Sequence, residues 1–217
     1  MIQLETVVIS ANKNETNRLE APIVVHVMTP KLFENTNSVC LAQGLSFQPG
    51  LRVETNCQNC GFQQVRINGL DGPYTQLLLD GKALFSSLNG VYGIEQIPTG
   101  MIERVEVMRG GGSALYGANA IGGTVNIITK EPLNNLFMIS HNLTAIGNSA
   151  YDNTTSLNTS LVNSQRDAGI YLFGTSRHRQ HYDHDGDHFS EIGKLKLTTL
   201  GFRSFYKPTS QTKLTLE

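Results

Sequence analysis

Hydrophobic and polar positions give the chain two textures. Up to Pro132, short β-branched runs alternate with turn residues and small groups of helix formers. Residues 23–28, 51–54, 64–69, 76–81 and 124–129 read as strands, each bounded by Gly, Pro, Asn or Asp. Thr29 before Pro30 predicts a capped short helix over 31–35, and Asn37 or Ser38 a second over 39–45, with Leu41 and Leu45 on one face. From Phe137 the runs lengthen and alternate strictly. Phe137, Ile139, Leu143 and Ala145 interleave with Met138, Ser140, Asn142 and Thr144, and Leu157 and Leu161 with Ser156, Asn158 and Ser160. Such a period of two places apolar side chains on one sheet face and polar ones on the other. Residues 168–179 and 195–206 continue as strands, followed by a turn at 207–211.

The stretch 109–129 organises the first part. Gly110, Gly111 and Gly112 permit a turn that a Cβ would obstruct. Ser113 then reads as the N-cap of one helical turn, Ala114, Leu115 and Tyr116, stopped by Gly117. Ala120 to Gly123 links this turn to the β-branched run Thr124-Val125-Asn126-Ile127-Ile128-Thr129, which ends at Glu131-Pro132. Together with Ile102-Glu103-Arg104-Val105-Glu106-Val107 these residues closely resemble the closing signature of the plug domain of TonB-dependent outer-membrane receptors. Pro49-Gly50-Leu51, Arg66-Ile67-Asn68-Gly69 and Leu79-Asp80-Gly81 fall in the same family order, so the resemblance covers roughly residues 5–132. Two departures are Asn68, where the family commonly has arginine before the glycine, and 57–61, which is similar to its haem- and vitamin-B12-receptor-like branches.

That resemblance implies an α+β plug domain of short strands and short helices, followed by the first antiparallel strands of a transmembrane β-barrel. The expected divisions are an N-terminal extended segment at 1–14, the plug at 15–132 and the start of the barrel at 133–217. A transporter barrel has about 22 strands, whereas this chain offers four and the beginning of a fifth. A chain that stops in mid-pattern, with no signal peptide at its start, reads as a fragment. By the same resemblance, Glu5, Thr6, Val7, Val8 and Ile9 occupy the place of the TonB box, which would add as a strand to a TonB-type periplasmic energy-coupling protein. Arg66, Glu103, Arg104, Glu106 and Arg109 are expected to pair with the barrel wall. Pro73, Tyr74, Phe85 and Tyr92 are expected on outward loops that meet a bulky ligand: a siderophore-iron chelate, haem or cobalamin.

Composition agrees with a turn-rich β protein. Glycine makes up 21 of 217 residues and charged residues 16%, with a net charge of −1, so no basic surface invites nucleic acid. No apolar run reaches the 18 or so residues of a transmembrane helix. No nucleophile–base pair or carboxylate dyad stands out, so an enzyme is not expected and no cofactor is implied.

Three features remain open to other chemistry. Cys40, Cys57 and Cys60 are disulfide candidates of undetermined pairing, and Cys57 and Cys60 have C-x-x-C spacing without the second pair of a zinc site. Asp183, Asp185 and Asp187, with His178, His181, His184 and His188 nearby, resemble the opening of a calcium loop. The sixth position is His188 instead of glycine and the twelfth is Lys194 instead of glutamate, so a solvated loop is expected. The alternative to a receptor is a soluble cell-surface or periplasmic binding module, calcium-dependent if the acidic loop takes that ion.

Overall fold

The computed structural model describes residues 7–10, 16, 17, 19–57, 62–84, 93–209 and 211–217. It separates into two units, one within Met1–Cys57 and Phe62–Thr129 and another over Lys130–Glu217. No described helix is long and apolar enough to cross a membrane, which leaves strands as the element to consider.

In the first unit, β1 (Val7–Val8) pairs with β2 (Thr16–Asn17). Next come β3 (Val25–Met28), α1 (Pro30–Asn35) and α2 (Leu41–Leu45). β4 (Leu51–Cys57) and β5 (Phe62–Ile67) form their own antiparallel pair. β6 (Thr75–Leu79), β7 (Lys82–Ala83), β8 (Ile102–Arg109) and β9 (Gly123–Thr129) join β3 in a five-stranded sheet of order β3-β8-β9-β6-β7. The β6–β9 pairing is parallel and the others are antiparallel.

Sequence chemistry accounts for this arrangement. Every residue of β9 is buried, as its β-branched composition requires of a strand covered on both faces. Asp80 and Gly81 both take positive φ, 48° and 78°. They close the two-residue β6–β7 hairpin in the mirror-image turn that matches strand twist. The Asp80 carboxylate then accepts from the Thr129 amide at 3.0 Å and hydroxyl at 2.6 Å, fixing the hairpin to the end of β9.

Several strand boundaries shift by one to three residues from the sequence expectation, as at β4, β5 and β6, and two other boundaries differ as follows. The strand expected at 23–28 begins at Val25, where pairing with β8 starts opposite Met108, and Val24 before it is 70% exposed. The second helix begins at Leu41 instead of residue 39, and contacts from later residues hold Val39 and Cys40 outside it. Val39 donates to Gln43 Oε1 at 2.8 Å, and Leu41 donates to the Ile97 carbonyl at 2.9 Å. Cys40 is consequently held extended, opposite Pro98.

The second unit is one antiparallel meander: β10 (Leu136–Ile146), β11 (Ala150–Val162), β12 (Ala168–Arg179), β13 (Leu195–Thr209) and β14 (Thr212–Leu216). β13 runs past the expected turn, through Pro208, because the register shifts between Tyr206 and Thr209. A bulge is where a strand tolerates a residue without an amide hydrogen. Cross-strand partners place Phe137, Ile139, Leu143, Leu157, Leu161, Leu172, Leu200 and Phe202 on one face, and all are exposed. The opposite face carries Asp152, Thr154, Asn158, Ser160, Tyr171, Thr175 and Arg177, and all are buried. Apolar exposed and polar buried is the inverse of a water-soluble sheet. It is the pattern of a barrel wall with lipid outside. The sheet is unclosed.

Candidate functional site: the dock of the N-terminal segment

Residues 7–10 are bound to the first unit by packing and by polar contacts. Val7 is 40% exposed while Val8 is fully buried, in a small cluster with Val25 flanked by Ala21 and Val27. Two residues on, Ser10 is also fully buried. A buried serine with its main chain needs partners for an N–H, a C=O and a hydroxyl.

Glu106 of β8 supplies most of them. One carboxylate oxygen, Oε2, accepts the Ile9 amide at 2.9 Å, the Ser10 amide at 2.9 Å and the Ser10 hydroxyl at 2.7 Å. The other, Oε1, accepts Arg104 Nε at 2.8 Å. Arg104 and Glu106 are two residues apart on one strand and therefore share a face. Directly across the β8–β9 ladder from Glu106 lies Asn126, whose Nδ2 donates to Ser10 Oγ at 3.1 Å. Its Oδ1 accepts the Gly81 amide at 2.9 Å, linking the dock to the β6–β7 turn. Tyr116 completes the set by donating its hydroxyl to the Ser10 carbonyl at 3.1 Å. Burial, and then the Glu106 carboxylate, raise the Tyr116 phenol above its ordinary 10.0, so it remains a donor at neutral pH.

Glu106 is fully buried with no solvent contact. A carboxylate in such a place requires hydrogen-bond donors and a counter-charge, and here two amides, a hydroxyl and Arg104 provide them. The network holds the bend and turn of main chain at Ile9 and Ser10 that follow β1, using an acceptor for their N–H groups and a donor for the Ser10 C=O.

The other candidate residues are placed as follows. Arg66 forms ion pairs with Glu54 at 2.7 Å and Asp71 at 2.9 Å. Arg109 donates to the Pro49 carbonyl, holding the turn into β4. Glu103 is exposed. The alternating charges of β8 thus do not form one solvated face, since Glu106 points into the dock. Pro73 and Tyr74 lie on an exposed 3-10 turn, Gly72–Tyr74. Glu5, Thr6, Cys60, Phe85 and Tyr92 fall outside the described residues, as does the side chain of Cys57. Cys40 is buried.

In the second unit, Asp183, Asp185 and Asp187 come together with Glu191, which sequence reasoning did not include. Their oxygens accept amides of their own loop: Gly186 and His188 to Asp183, Phe189 to Asp187, and His184 to Glu191. These bonds account for the loop's shape.

Sequence reasoning also missed Ser10, Tyr116 and Asn126 as members of the dock. Signals were present: an asparagine within the apolar run 125–128 and a glutamate between Val105 and Val107 are polar residues at positions a sheet buries.

Comparison with known proteins accords with this geometry. Residues 17–124 match the family described as TonB-dependent Receptor Plug Domain. The chain belongs to the TonB-dependent receptors. The vitamin B12 transporter BtuB of Vibrio vulnificus (strain CMCP6) is 35% identical over 127 residues, 58% of this chain and 21% of that protein. BtuB of Vibrio cholerae serotype O1 is 31% identical over 126 residues, with the same coverage. Among solved structures, the siderophore receptor PirA from Acinetobacter baumannii superposes with a TM-score of 0.74 at 23% identity, covering 88% of this chain and 30% of that one. FpvA of P. aeruginosa, bound to a heterologous pyoverdine, gives 0.73 at 18% identity over 96% of this chain and 26% of that one. The chain spans about a fifth of the length of the B12 transporters and under a third of the solved receptors. The structural likeness shows the same fold, a plug followed by barrel strands.

Proposed function

We propose that this chain is the plug and opening wall of an outer-membrane receptor that takes up a scarce, bulky nutrient of the siderophore-iron, haem or cobalamin class. The observation that carries the reading is the pairing of a plug-type sheet with an unclosed meander whose exposed face is apolar and whose buried face is polar. The names of the relatives, a vitamin B12 transporter and siderophore receptors, support the ligand class.

In this reading the plug gates the barrel, and residues 5–9 are the segment a TonB-type periplasmic protein grasps by strand addition. Exposed Pro73 and Tyr74, with Phe85 and Tyr92, would face the ligand. Arg66, Glu103, Arg104 and Arg109 would supply wet polar contacts to the wall. Exposed ion pairs contribute at most about 1 kcal/mol each, a strength suited to a plug that must rearrange.

The test is deletion of residues 5–9 in the receptor that carries this chain. Ligand binding to cells should persist while energised uptake falls to background. Undiminished uptake would remove the coupling assignment, and loss of both would point to a plug that no longer folds.

A further inference from the structure

We propose that Glu106 is the positioning residue of the coupling segment, and that its carboxylate occupies the main-chain groups a partner strand would otherwise use. The proposal rests on the reading of residues 5–9 as the segment a periplasmic partner grasps.

Strand addition is carried by backbone N–H and C=O groups along one edge of an extended peptide. In this structure those groups are already engaged. Val7 and Val8 pair with β2. The next two amides, of Ile9 and Ser10, both donate to Glu106 Oε2, and the Ser10 carbonyl is taken by the Tyr116 hydroxyl. The Ser10 hydroxyl adds a third donor to the same oxygen. One buried anionic acceptor therefore holds Ile9 and Ser10 in the bend and turn that end β1, a conformation that strand addition would have to open.

The carboxylate reads main chain at Ile9, where any residue but proline offers the same amide. At Ser10 it also reads the side chain. A partner gains these groups only after Ser10 leaves Glu106. Arg104 keeps the second oxygen paired during that exchange. The dock thus withholds the segment without being irreversible.

The experiment uses the full chain in detergent micelles, with amide hydrogen exchange and binding of a purified C-terminal domain of a TonB-type coupling protein as readouts. Glu106→Gln keeps the size but turns one acceptor oxygen into an NH2 donor facing other donors. Exchange in the peptide containing Ile9 and Ser10 should rise at least tenfold while amides 125–128 stay protected, and the coupling domain should bind at least fivefold more tightly. A gain in affinity is a result that a merely structural residue would not produce. Segment exchange within twofold of the parent would overturn the proposal.

Should Glu106→Gln unfold the whole plug, Ser10→Ala decides. It leaves the carboxylate in place and should raise exchange at least threefold in that peptide alone, and no rise there overturns the dock. If segment exchange rises in both variants but the coupling domain binds neither them nor the parent, the assignment of residues 5–9 fails and the dock stands.

Discussion

Gly123 is the position where the plug sheet is most sensitive to a single added carbon. It opens β9 at a φ of 141°, a region open to glycine and strained by about 1–3 kcal/mol for other residues. A Cβ there would fall inside the contact distance of the Met108 carbonyl oxygen, and 3.2 Å from Arg109 Cα. Both obstacles are backbone, so relief requires the β8 and β9 ends to separate. The Arg109–Gly123 pairing would be lost, and with it the Thr75–Gly123 pairing on the other side. One or two ladder hydrogen bonds at about 1 kcal/mol each, added to that strain, bring the expected cost of Gly123→Ala to roughly 2–5 kcal/mol. Gly69→Ala is the control: φ is also positive, 82°, but nothing lies within 4 Å of the added carbon. Its cost should stay near about 1 kcal/mol, the backbone effect alone. The assay is amide exchange of 102–109 and 123–129 in the full chain, where each 1.4 kcal/mol is about a tenfold change. Gly123→Ala should exchange at least about fivefold faster there than Gly69→Ala, which follows from a difference of at least about 1 kcal/mol. Equal exchange in the two variants would refute the claim that close backbone approach, and not turn geometry, dictates glycine at 123.

Two further outcomes follow from the dock and the wall. The folded-state pKa of Tyr116 is raised, so the stability it contributes is complete below its ordinary 10.0 and is lost as pH climbs through the higher folded value. Exchange of the peptide containing Ser10 should therefore accelerate above pH 10 in the parent beyond the intrinsic rate. Tyr116→Phe should be faster at neutral pH but lack that extra alkaline rise, and an unchanged alkaline profile in Tyr116→Phe would count against the assignment. On the wall, Leu157 faces outward opposite Ile139 and Gly174, and Leu157→Arg should cost about 2–4 kcal/mol in lipid. Urea titration of the receptor that carries this chain, folded into phospholipid vesicles, measures it, and equal stability of variant and parent there would show that this face does not meet lipid.

What was legible in the sequence had a local physical cause. The alternation in 137–145 and 156–161 reports which side of a strand is apolar, and each side chain's environment in a sheet follows from its parity. Asp80-Gly81 and Thr29-Pro30 likewise encode their turn and helix start in two residues. Long-range contacts decided the rest. The second helix starts late because Cys40 is held extended opposite Pro98, a partner no window around residue 40 contains. Glu106 was grouped with Glu103, Arg104 and Arg109 as charges of one strand. What separates it is Ser10, 96 positions away, whose amide and hydroxyl its carboxylate accepts. Glu191 joined the acidic loop only once the loop's fold brought it beside Asp183.

The placement of the dock within the sheet has a mechanical consequence. Ser10 is tied to Glu106 on β8 and to Asn126 on β9, which are neighbours in the interior of the β3-β8-β9-β6-β7 order, not at either edge. Tension applied through residues 7–10 therefore reaches the two strands with the most buried side chains, and does so through side-chain contacts that can break one after another. The β8–β9 ladder would have to be sheared along its whole length. Contacts that fail singly give way under a smaller load than a ladder whose bonds share it. The first event under load should accordingly be departure of Ser10 from Glu106 with the sheet intact, and sheet opening should require further work. A plug built this way yields its handle before it yields its core.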